Sequence, residues 1–152
     1  MHNYFLKKEV LLLTVTFFGH RDAPDSIRQK LREVLIFLIE KEGARLFYVG
    51  NEGGYDRLCQ GVLAELQTQY CLAYTIVFAY MPTHRDHGEG PPTPLPEVAA
   101  LSPPRFAIER RNGWLIAQSD LAVTYVISPC GGAAKAKGRM QKAGKRIIEL
   151  SR

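Results

Sequence analysis

Three motifs that identify common enzyme classes are missing from the sequence. No segment matches G-x-x-x-x-G-K-[ST], which argues against a P-loop nucleotide triphosphatase. Neither G-x-G-x-x-G nor G-x-S-x-G occurs, which argues against nicotinamide-dependent redox chemistry and against serine hydrolysis. Any site for a ligand must therefore be built from less specific elements.

Cysteines and long apolar runs are also scarce. The three cysteines, Cys59, Cys71 and Cys130, are odd in number and lack C-x-x-C spacing, so they predict neither a disulfide framework nor a zinc site. The apolar run Val10–Phe18 is too short to cross a bilayer, and no small-residue cleavage site follows it. We therefore expect a cytoplasmic protein with no membrane segment, no metal and no cofactor.

The positive charge is concentrated at the C-terminal end. The net charge of the chain is +5, and Glu149 is the one acidic residue after position 132. The basic residues there are Lys135, Lys137, Arg139, Lys142, Lys145, Arg146 and Arg152. Such a cluster is typical either of a surface that binds a polyanion or of a solvated helix face. No aromatic residues alternate with these charges to stack on bases, which favours the solvated face and at most weak nucleic-acid binding.

The pattern of apolar residues predicts an α/β fold. With 152 residues, 46% of them hydrophobic, the chain has the size and composition of one domain covering residues 1–152. The predicted strands are Val10–Phe18, Ala44–Val49, Ala73–Tyr80, Asp120–Ile127 and Arg146–Leu150, and segments of helical spacing lie between them. This alternation predicts a Rossmann-like three-layer sandwich with a mostly parallel sheet of about five strands.

A proline-rich segment interrupts this pattern at residues 81–104. A loop of that length in a small domain is typical of a functional lid, and we predict a lid or loop here. The segment contains His84 and His87, but a loop offers no rigid support for metal ligands. We therefore do not predict a metal site from this histidine pair.

Three short loops follow predicted strands and carry the candidate ligand-binding residues. They are Gly19–Arg21, Gly50–Asp56 and Ser128–Gly132. Because the carboxyl ends of parallel strands share one edge of the sheet, we expect the three loops to lie together. Glycines that precede a helix let the backbone approach a ligand, and the helix N-terminus attracts anions.

Individual residues in these loops have side chains suited to a phosphorylated ligand. Arg21 has the guanidinium group that binds phosphate in a bidentate manner, and His20 can accept or donate a proton near neutral pH. Gly53 and Gly54 allow close backbone approach. Asp56 is predicted either to bind a ribose hydroxyl or to cap the following helix, and both alternatives remain open.

Further candidates follow the proline-rich segment. Arg110 and Arg111 are adjacent, so at most one of them is expected to face the site, and Asn112 follows them. Trp114 is predicted to be a core residue. Cys130 precedes a helix and is a candidate nucleophile, although a small buried or half-buried cysteine is favoured.

The set of motifs, taken in order, resembles the SLOG superfamily. The segments that carry the resemblance are Thr14–Asp22, Phe47–Asp56, Arg111–Trp114 with Gln118–Asp120, and Gly131–Ala134. That superfamily joins the DNA-processing protein A domain, the LOG-type phosphoribohydrolases and YpsA-like bacterial proteins, and the YpsA-like branch is the most similar. The resemblance implies a Rossmann-like fold that binds nucleotide-derived ligands. Its phosphate-binding loops map onto Gly50, Gly53, Gly54 and Asp56, and onto Gly131 and Gly132. Asn51 lies within the first loop and is a further candidate ligand-binding residue.

Four positions depart from the hydrolase branch of this superfamily, namely Cys130, Ala134, Lys135 and Gly138. That branch has the pattern P-G-G-x-G-T-x-x-E, and here the corresponding segment begins at Cys130 and ends at Gly138. The carboxylate that would support cleavage of an N-glycosidic bond is therefore absent from its usual position.

These observations lead to three ranked hypotheses about function. The first is the binding or sensing of a nucleotide or a nucleotide-derived phosphorylated ligand, without catalysis. The second is hydrolysis of an N-glycosidic bond, with Asp56, His20 or Glu109 as the acid–base group. The third is an accessory protein that binds single-stranded DNA through the basic C-terminal helix. A homo-oligomer is compatible with all three.

Overall fold

The computed structural model describes residues 12–79, 92–93 and 104–152, and it describes only the backbone of Pro92, Thr93, Pro104 and Arg105. In chain order the elements are β1 Leu13–Gly19, a short 3-10 turn Asp25–Ile27, α1 Arg28–Glu42, β2 Ala44–Val49, α2 Gly54–Gln67, β3 Ala73–Val77, β4 Pro92–Thr93, α3 Pro104–Gln118, β5 Leu121–Tyr125, α4 Gly132–Lys142 and β6 Arg146–Glu149. None of the described helices has both the length and the apolar composition that crossing a membrane requires.

The strands form one sheet in which every neighbouring pair is parallel. Their order is β4-β3-β2-β1-β5-β6. The chain first adds strands outward on one side of β1 and then returns to the other side with β5 and β6. The order therefore reverses between β1 and β5, which is the position where open α/β sheets place their ligands.

Two helices cover each face of the sheet. Alternate residues of a strand point to opposite faces, so Val15 and Phe17 of β1 pack in one core and Phe18 packs in the other. The first core also contains buried residues of α1 and α2, such as Leu35. The second contains residues of α3 and α4, such as Met140. The predicted Rossmann-like, three-layer α/β sandwich is thus confirmed.

Helix α1 ends at a glycine cap. Gly43 follows the helix with φ 74°, in the left-handed region that glycine adopts at little cost, and its N–H donates to the Leu38 carbonyl. Strand β2 begins at the next residue, Ala44. A single glycine therefore separates a helix from a buried strand.

The short edge strand β4 was not predicted. Pro92 pairs with Ile76 and Thr93 with Val77 at the outer side of β3. Two residues are too few to show an alternating pattern, and proline is compatible with an edge strand because it lacks only a ladder donor. Apart from 92–93 and Pro104, where α3 begins, the predicted lid or loop at 81–104 lies outside the described residues, as do His84 and His87.

A buried carboxylate joins β6 to β5 and α4. Glu149 accepts hydrogen bonds from Thr124 Oγ1 at 2.6 Å and Lys137 Nζ at 2.7 Å, and from the backbone N–H of Val126 at 2.9 Å and Ser151 at 3.1 Å. Burial alone would raise the pKa of Glu149, but these donors outweigh it and lower the pKa to about 2. The bond from Val126 holds the start of the loop that follows β5.

Replacing this carboxylate is expected to alter acid stability. The ionised Glu149 stabilises the fold above its ordinary pKa of 4.5, and that contribution is lost as the pH falls toward about 2. We expect Glu149→Gln to lower the free energy of unfolding at pH 7 by about 2 kcal/mol, and the difference to shrink between pH 4.5 and 2. Urea denaturation at several pH values measures this. The exposed Glu33→Gln on α1 is the control, and parallel pH profiles for wild type and Glu149→Gln would contradict the assignment.

Candidate functional site

A cavity of about 410 Å³ lies at the carboxyl ends of β1 and β2. Its walls come from the loops that follow these strands, from α3 and from the N-terminus of α4. The lining residues are Phe17, Phe18, Gly19, His20, Arg21, Asp22, Gly50, Glu52, Gly53, Asp56, Ile108, Arg111, Asn112, Leu115, Gly132 and Ala133. The structure thus brings residues from all three predicted loop regions to one edge of the sheet.

The loops after β1 and β2 touch because glycine leaves no side chain between them. A Cβ atom on Gly19 would overlap the ring of Tyr55, which is fully buried. The Tyr55 hydroxyl donates to the Val123 carbonyl at 2.8 Å, so the ring cannot move aside easily. The N–H of Gly54 donates to the Arg21 carbonyl at 2.8 Å. These contacts fix the position of the β1 loop relative to the start of α2.

Asp56 closes the loop that follows β2. It lies in the first turn of α2, whose N-cap residue is Gly53, and its Oδ2 accepts the backbone N–H of Glu52 at 2.9 Å. Burial raises the pKa of Asp56, although the nearby Arg111 guanidinium opposes the shift. Asp56 therefore orders the loop and also lines the cavity.

Arg111 is the buried cation of the cavity. Its guanidinium donates two hydrogen bonds to Asn112 Oδ1, from Nε at 3.2 Å and from Nη2 at 3.0 Å. Nη1 lies beside Gly50. A Cβ atom on residue 50 would come within 2.5 Å of this Nη1 and within 2.7 Å of Asp56 Oδ2. Gly50 therefore provides the space in which this cation and carboxylate face the cavity together.

Glu52 is a lining residue that the sequence did not single out. Its carboxylate lies 3.8 Å from Arg111 Nη1 and 3.9 Å from Arg21 Nη2, and 22% of its side chain is exposed. The first arginine is buried and the second is mostly exposed. Glu52 thus balances the charge of Arg111 in a partly closed space. No motif identified this residue, because its role depends on α3 packing beside the loop.

His20 orders the loop that follows β5. Its Nε2 accepts the backbone N–H groups of Ile127 at 2.9 Å and Ser128 at 3.1 Å, and its ring meets that of Tyr125 edge-on. These bonds assign the proton of the neutral imidazole to Nδ1. Because Nε2 is occupied, His20 acts here as a structural acceptor between two loops.

The N-terminus of α4 forms the opposite wall of the cavity. Gly131 adopts φ 102°, a conformation that favours glycine, and no side chain caps the helix. Gly132 and Ala133 in its first turn line the cavity. The first N–H groups of a helix have no partner within it and carry partial positive charge, so this wall favours an anion.

The predicted site residues fall into two groups. Nine of the thirteen line the cavity: Gly19, His20, Arg21, Gly50, Gly53, Asp56, Arg111, Asn112 and Gly132. The other four are not part of its lining: Asn51, Gly54, Arg110 and Gly131. The Asn51 Oδ1 accepts from Gln60 Nε2 at 3.2 Å, and Arg110 is exposed on α3. As expected for adjacent helical residues, Arg111 alone of the two arginines faces the cavity.

Of the three candidate acid–base groups, two line the cavity and one lies outside it. Asp56 and His20 line the cavity, whereas Glu109 lies outside it and pairs with Lys135 at 3.1 Å. Gly138, at the position of the hydrolase glutamate, borders a different depression on α4. With His20 Nε2 occupied, Asp56 is the candidate acid that remains. Among the described residues no group of three His, Cys, Asp or Glu side chains could hold a metal.

Most of the C-terminal basic residues already have partners within the fold. Lys137 pairs with Glu149 at 2.7 Å, and Arg146 pairs with Glu42 at 2.6 Å. Lys145 Nζ donates to the Ile116 carbonyl at the end of α3, at 2.5 Å. The high positive charge of this part of the sequence therefore serves mainly to attach α4 and β6 to the rest of the fold.

Comparisons with known proteins identify structural neighbours but no sequence family. No family model and no curated protein matches the sequence. Among solved structures, the fold is similar to DNA processing protein A from Streptococcus pneumoniae, with TM-score 0.63 and 12% identity over 91% of this chain and 50% of that one. It is also similar to DNA processing protein A from Helicobacter pylori, with TM-score 0.59 and 15% identity over 94% of this chain and 67% of that one.

These similarities concern the fold. The chain spans half the length of the S. pneumoniae protein, and the identities are too low to transfer an activity. The H. pylori structure is described for its mode of binding single-stranded DNA. The comparisons show the fold alone, so the relation to the SLOG superfamily and to its YpsA-like branch stays a prediction.

The contact between Gly19 and Tyr55 leads to a stability prediction. We expect Gly19→Ala to lower the free energy of unfolding by about 2–3 kcal/mol, because the added methyl group overlaps a buried ring held by a hydrogen bond. Gly132→Ala is the matched control, since a Cβ there meets nothing within 4 Å, and its effect should stay within about 0.5 kcal/mol. Urea denaturation measures both, and equal effects would contradict the proposed packing.

Proposed function

We propose that the cavity binds a phosphorylated, nucleotide-derived small molecule. The observation that carries the proposal is the buried Arg111 guanidinium, which faces a cavity of about 410 Å³ at the point where the strand order reverses. A cavity of this volume is within the usual range for small-molecule sites. Burying a cation is costly unless it has a function or good partners, and among the described residues the one ion pair of Arg111 is 3.8 Å long.

The phosphate would lie between the N-terminus of α4 and the arginines. Gly132 and Ala133 offer backbone N–H groups, and Arg111 and Arg21 offer charge-assisted donors from the other side. Arg21 is mostly exposed, so it can adjust to the ligand.

The sugar hydroxyls would be bound by the carboxylates that lie beside these arginines. Asp56 and Glu52 both line the cavity close to Arg111. Carboxylate oxygens accept hydrogen bonds from ribose hydroxyls in dinucleotide-binding folds of this class. In addition, Phe18, Ile108 and Leu115 supply an apolar surface for a base. Acceptors, donors and apolar groups for the parts of a nucleotide thus line one cavity.

Single-stranded DNA is the second candidate ligand. The observation in its favour is the fold shared with the H. pylori protein, whose structure concerns single-stranded DNA binding. Against it, the C-terminal cations that would contact the backbone are largely paired, as for Lys135, Lys137 and Arg146. Because these cations are paired within the fold, the charges favour a small molecule over DNA. Hydrolysis, a cytoplasmic location and formation of a homo-oligomer stay predictions.

A thermal-shift screen tests the small-molecule proposal. At a concentration about a hundredfold above its Kd, a ligand stabilises the folded state by about 2.7 kcal/mol. For a chain of this size we expect a rise in Tm of about 5 °C or more with at least one of a set of nucleoside monophosphates, ADP-ribose and cyclic nucleotides. No shift with any of these compounds would contradict the proposal.

Two variants of α4 make this screen specific to the cavity. Ala133→Asp places a carboxylate in the lining, while the negative charge remains favourable for the helix N-terminus, so the fold should persist. We expect it to abolish the ligand-induced shift. Ala134→Asp, in the same turn but outside the lining, is the matched control and should retain the shift. Equal behaviour of the two variants would contradict the location.

The salt dependence of DNA binding distinguishes the second candidate. Because most described C-terminal cations are paired, we expect weak binding to a single-stranded oligonucleotide, with a slope of log K against log salt no steeper than about −2. Fluorescence anisotropy between 50 and 200 mM salt is a suitable measurement at these concentrations. A slope of about −4 or steeper would favour DNA as the ligand.

A further inference from the structure

A groove between α3 and α4 continues the cavity. It has a volume of about 210 Å³, and Ile108, Asn112 and Gly132 border both spaces. Gly132 lies in the first turn of α4, at the junction. If a ligand places a phosphate at this junction, the groups bonded to that phosphate can extend into the cavity on one side and into the groove on the other.

The groove has a different charge from the cavity. Its charged side chains are Lys135, Arg139 and Glu109, two cations and one carboxylate. The cavity has two guanidinium groups, from Arg21 and Arg111, and the three carboxyl groups of Asp22, Glu52 and Asp56. The excess of positive charge at this edge of the sheet therefore lies in the groove.

Arg139 is held in position without a carboxylate partner among the residues that the structure describes. Its Nη1 donates to the Glu109 carbonyl at 3.3 Å, and its Nη2 lies over Gly113, where a Cβ would approach it to 2.9 Å. Lys135 instead pairs with the Glu109 carboxylate at 3.1 Å. The glycine on α3 thus makes room for a guanidinium group at the groove, with donors remaining for an anion.

We propose that this groove is a second anion subsite, which binds the terminal phosphate of a nucleoside diphosphate. The proposal rests on the proposed function, because the first phosphate must lie beside Gly132 for the second to reach Arg139. The nucleoside occupies the cavity, where carboxylates suit neutral hydroxyl groups. The terminal phosphate lies in the groove, where Arg139 offers charge-assisted hydrogen bonds. The groove then selects diphosphates over monophosphates.

Calorimetric titration of the full chain with AMP, ADP, GMP and GDP tests the subsite. In the wild type we expect ADP to bind about tenfold tighter than AMP, or GDP about tenfold tighter than GMP. One well-formed charge-assisted hydrogen bond is enough to give a difference of this size. Arg139→Gln should reduce this ratio to about two or less and leave the Kd of the monophosphate unchanged. Lys142→Gln removes an exposed charge of α4 outside the groove and should preserve the ratio.

Gly113→Ala tests the position of the guanidinium without changing any charge. The new methyl group displaces the flexible end of Arg139, while alanine is favourable in a helix, so the fold should be kept. We expect the diphosphate preference to fall in this variant as well. Circular dichroism and urea denaturation confirm that each variant folds.

The outcomes separate the two proposals. If monophosphates bind and Ala133→Asp prevents this, but the diphosphate ratio is the same in wild type and Arg139→Gln, the subsite is wrong and the cavity assignment stands. If Lys142→Gln lowers the ratio as much as Arg139→Gln does, the preference reflects general charge and the subsite is also wrong. If none of the four nucleotides binds, the subsite is overturned, whereas the cavity assignment falls only if no compound of the thermal-shift screen raises the Tm either.

Discussion

The contact between two loops at the carboxyl edge of the sheet is the constraint on which the candidate site depends. Gly19, at the end of β1, lies against the buried ring of Tyr55 in the first turn of α2, with no space for a side chain between them. The Gly54 N–H then reaches the Arg21 carbonyl. Because backbone meets backbone here, the residues after β1 and those after β2 become walls of one cavity. A larger residue at either glycine would separate the walls by the width of a side chain.

Charge is used in two different ways in this protein. In the C-terminal part, cations are paired to build the fold: Lys137 neutralises the buried Glu149, and Arg146 joins Glu42. At the sheet edge the ions are instead left several ångströms apart, with Arg111 3.8 Å from Glu52. A loosely paired, buried guanidinium costs stability relative to one in a tight pair, and it keeps hydrogen-bonding capacity. This difference, more than the net charge, is the reason that we propose a ligand site at the sheet edge.

Sequence patterns anticipated much of the fold and a good part of the site. The β-branched run before Gly19 and the periodic segment ending at Gly43 predicted β1 and α1 because both depend on local spacing. The adjacency of Arg110 and Arg111 predicted that only one would face inward, since neighbours on a helix point in different directions. Glu52 was missed because its role arises from α3 packing beside the β2 loop. Asn51 was included because it lies in the glycine loop, yet its side chain pairs with Gln60.

Local pattern and tertiary packing therefore determine different properties of this protein. The sequence by itself determined the alternation of strands and helices, the parallel sheet and the edge at which its loops meet, because these follow from periodicity and from the geometry of parallel strands. Only the tertiary structure decided the partners of three side chains. His20 Nε2 accepts a hydrogen bond from the loop after β5, and Asp56 accepts one from the Glu52 N–H. The Arg139 guanidinium lies over Gly113. These roles join residues distant in sequence or depend on loop conformation, and such contacts leave no periodic signal along the chain.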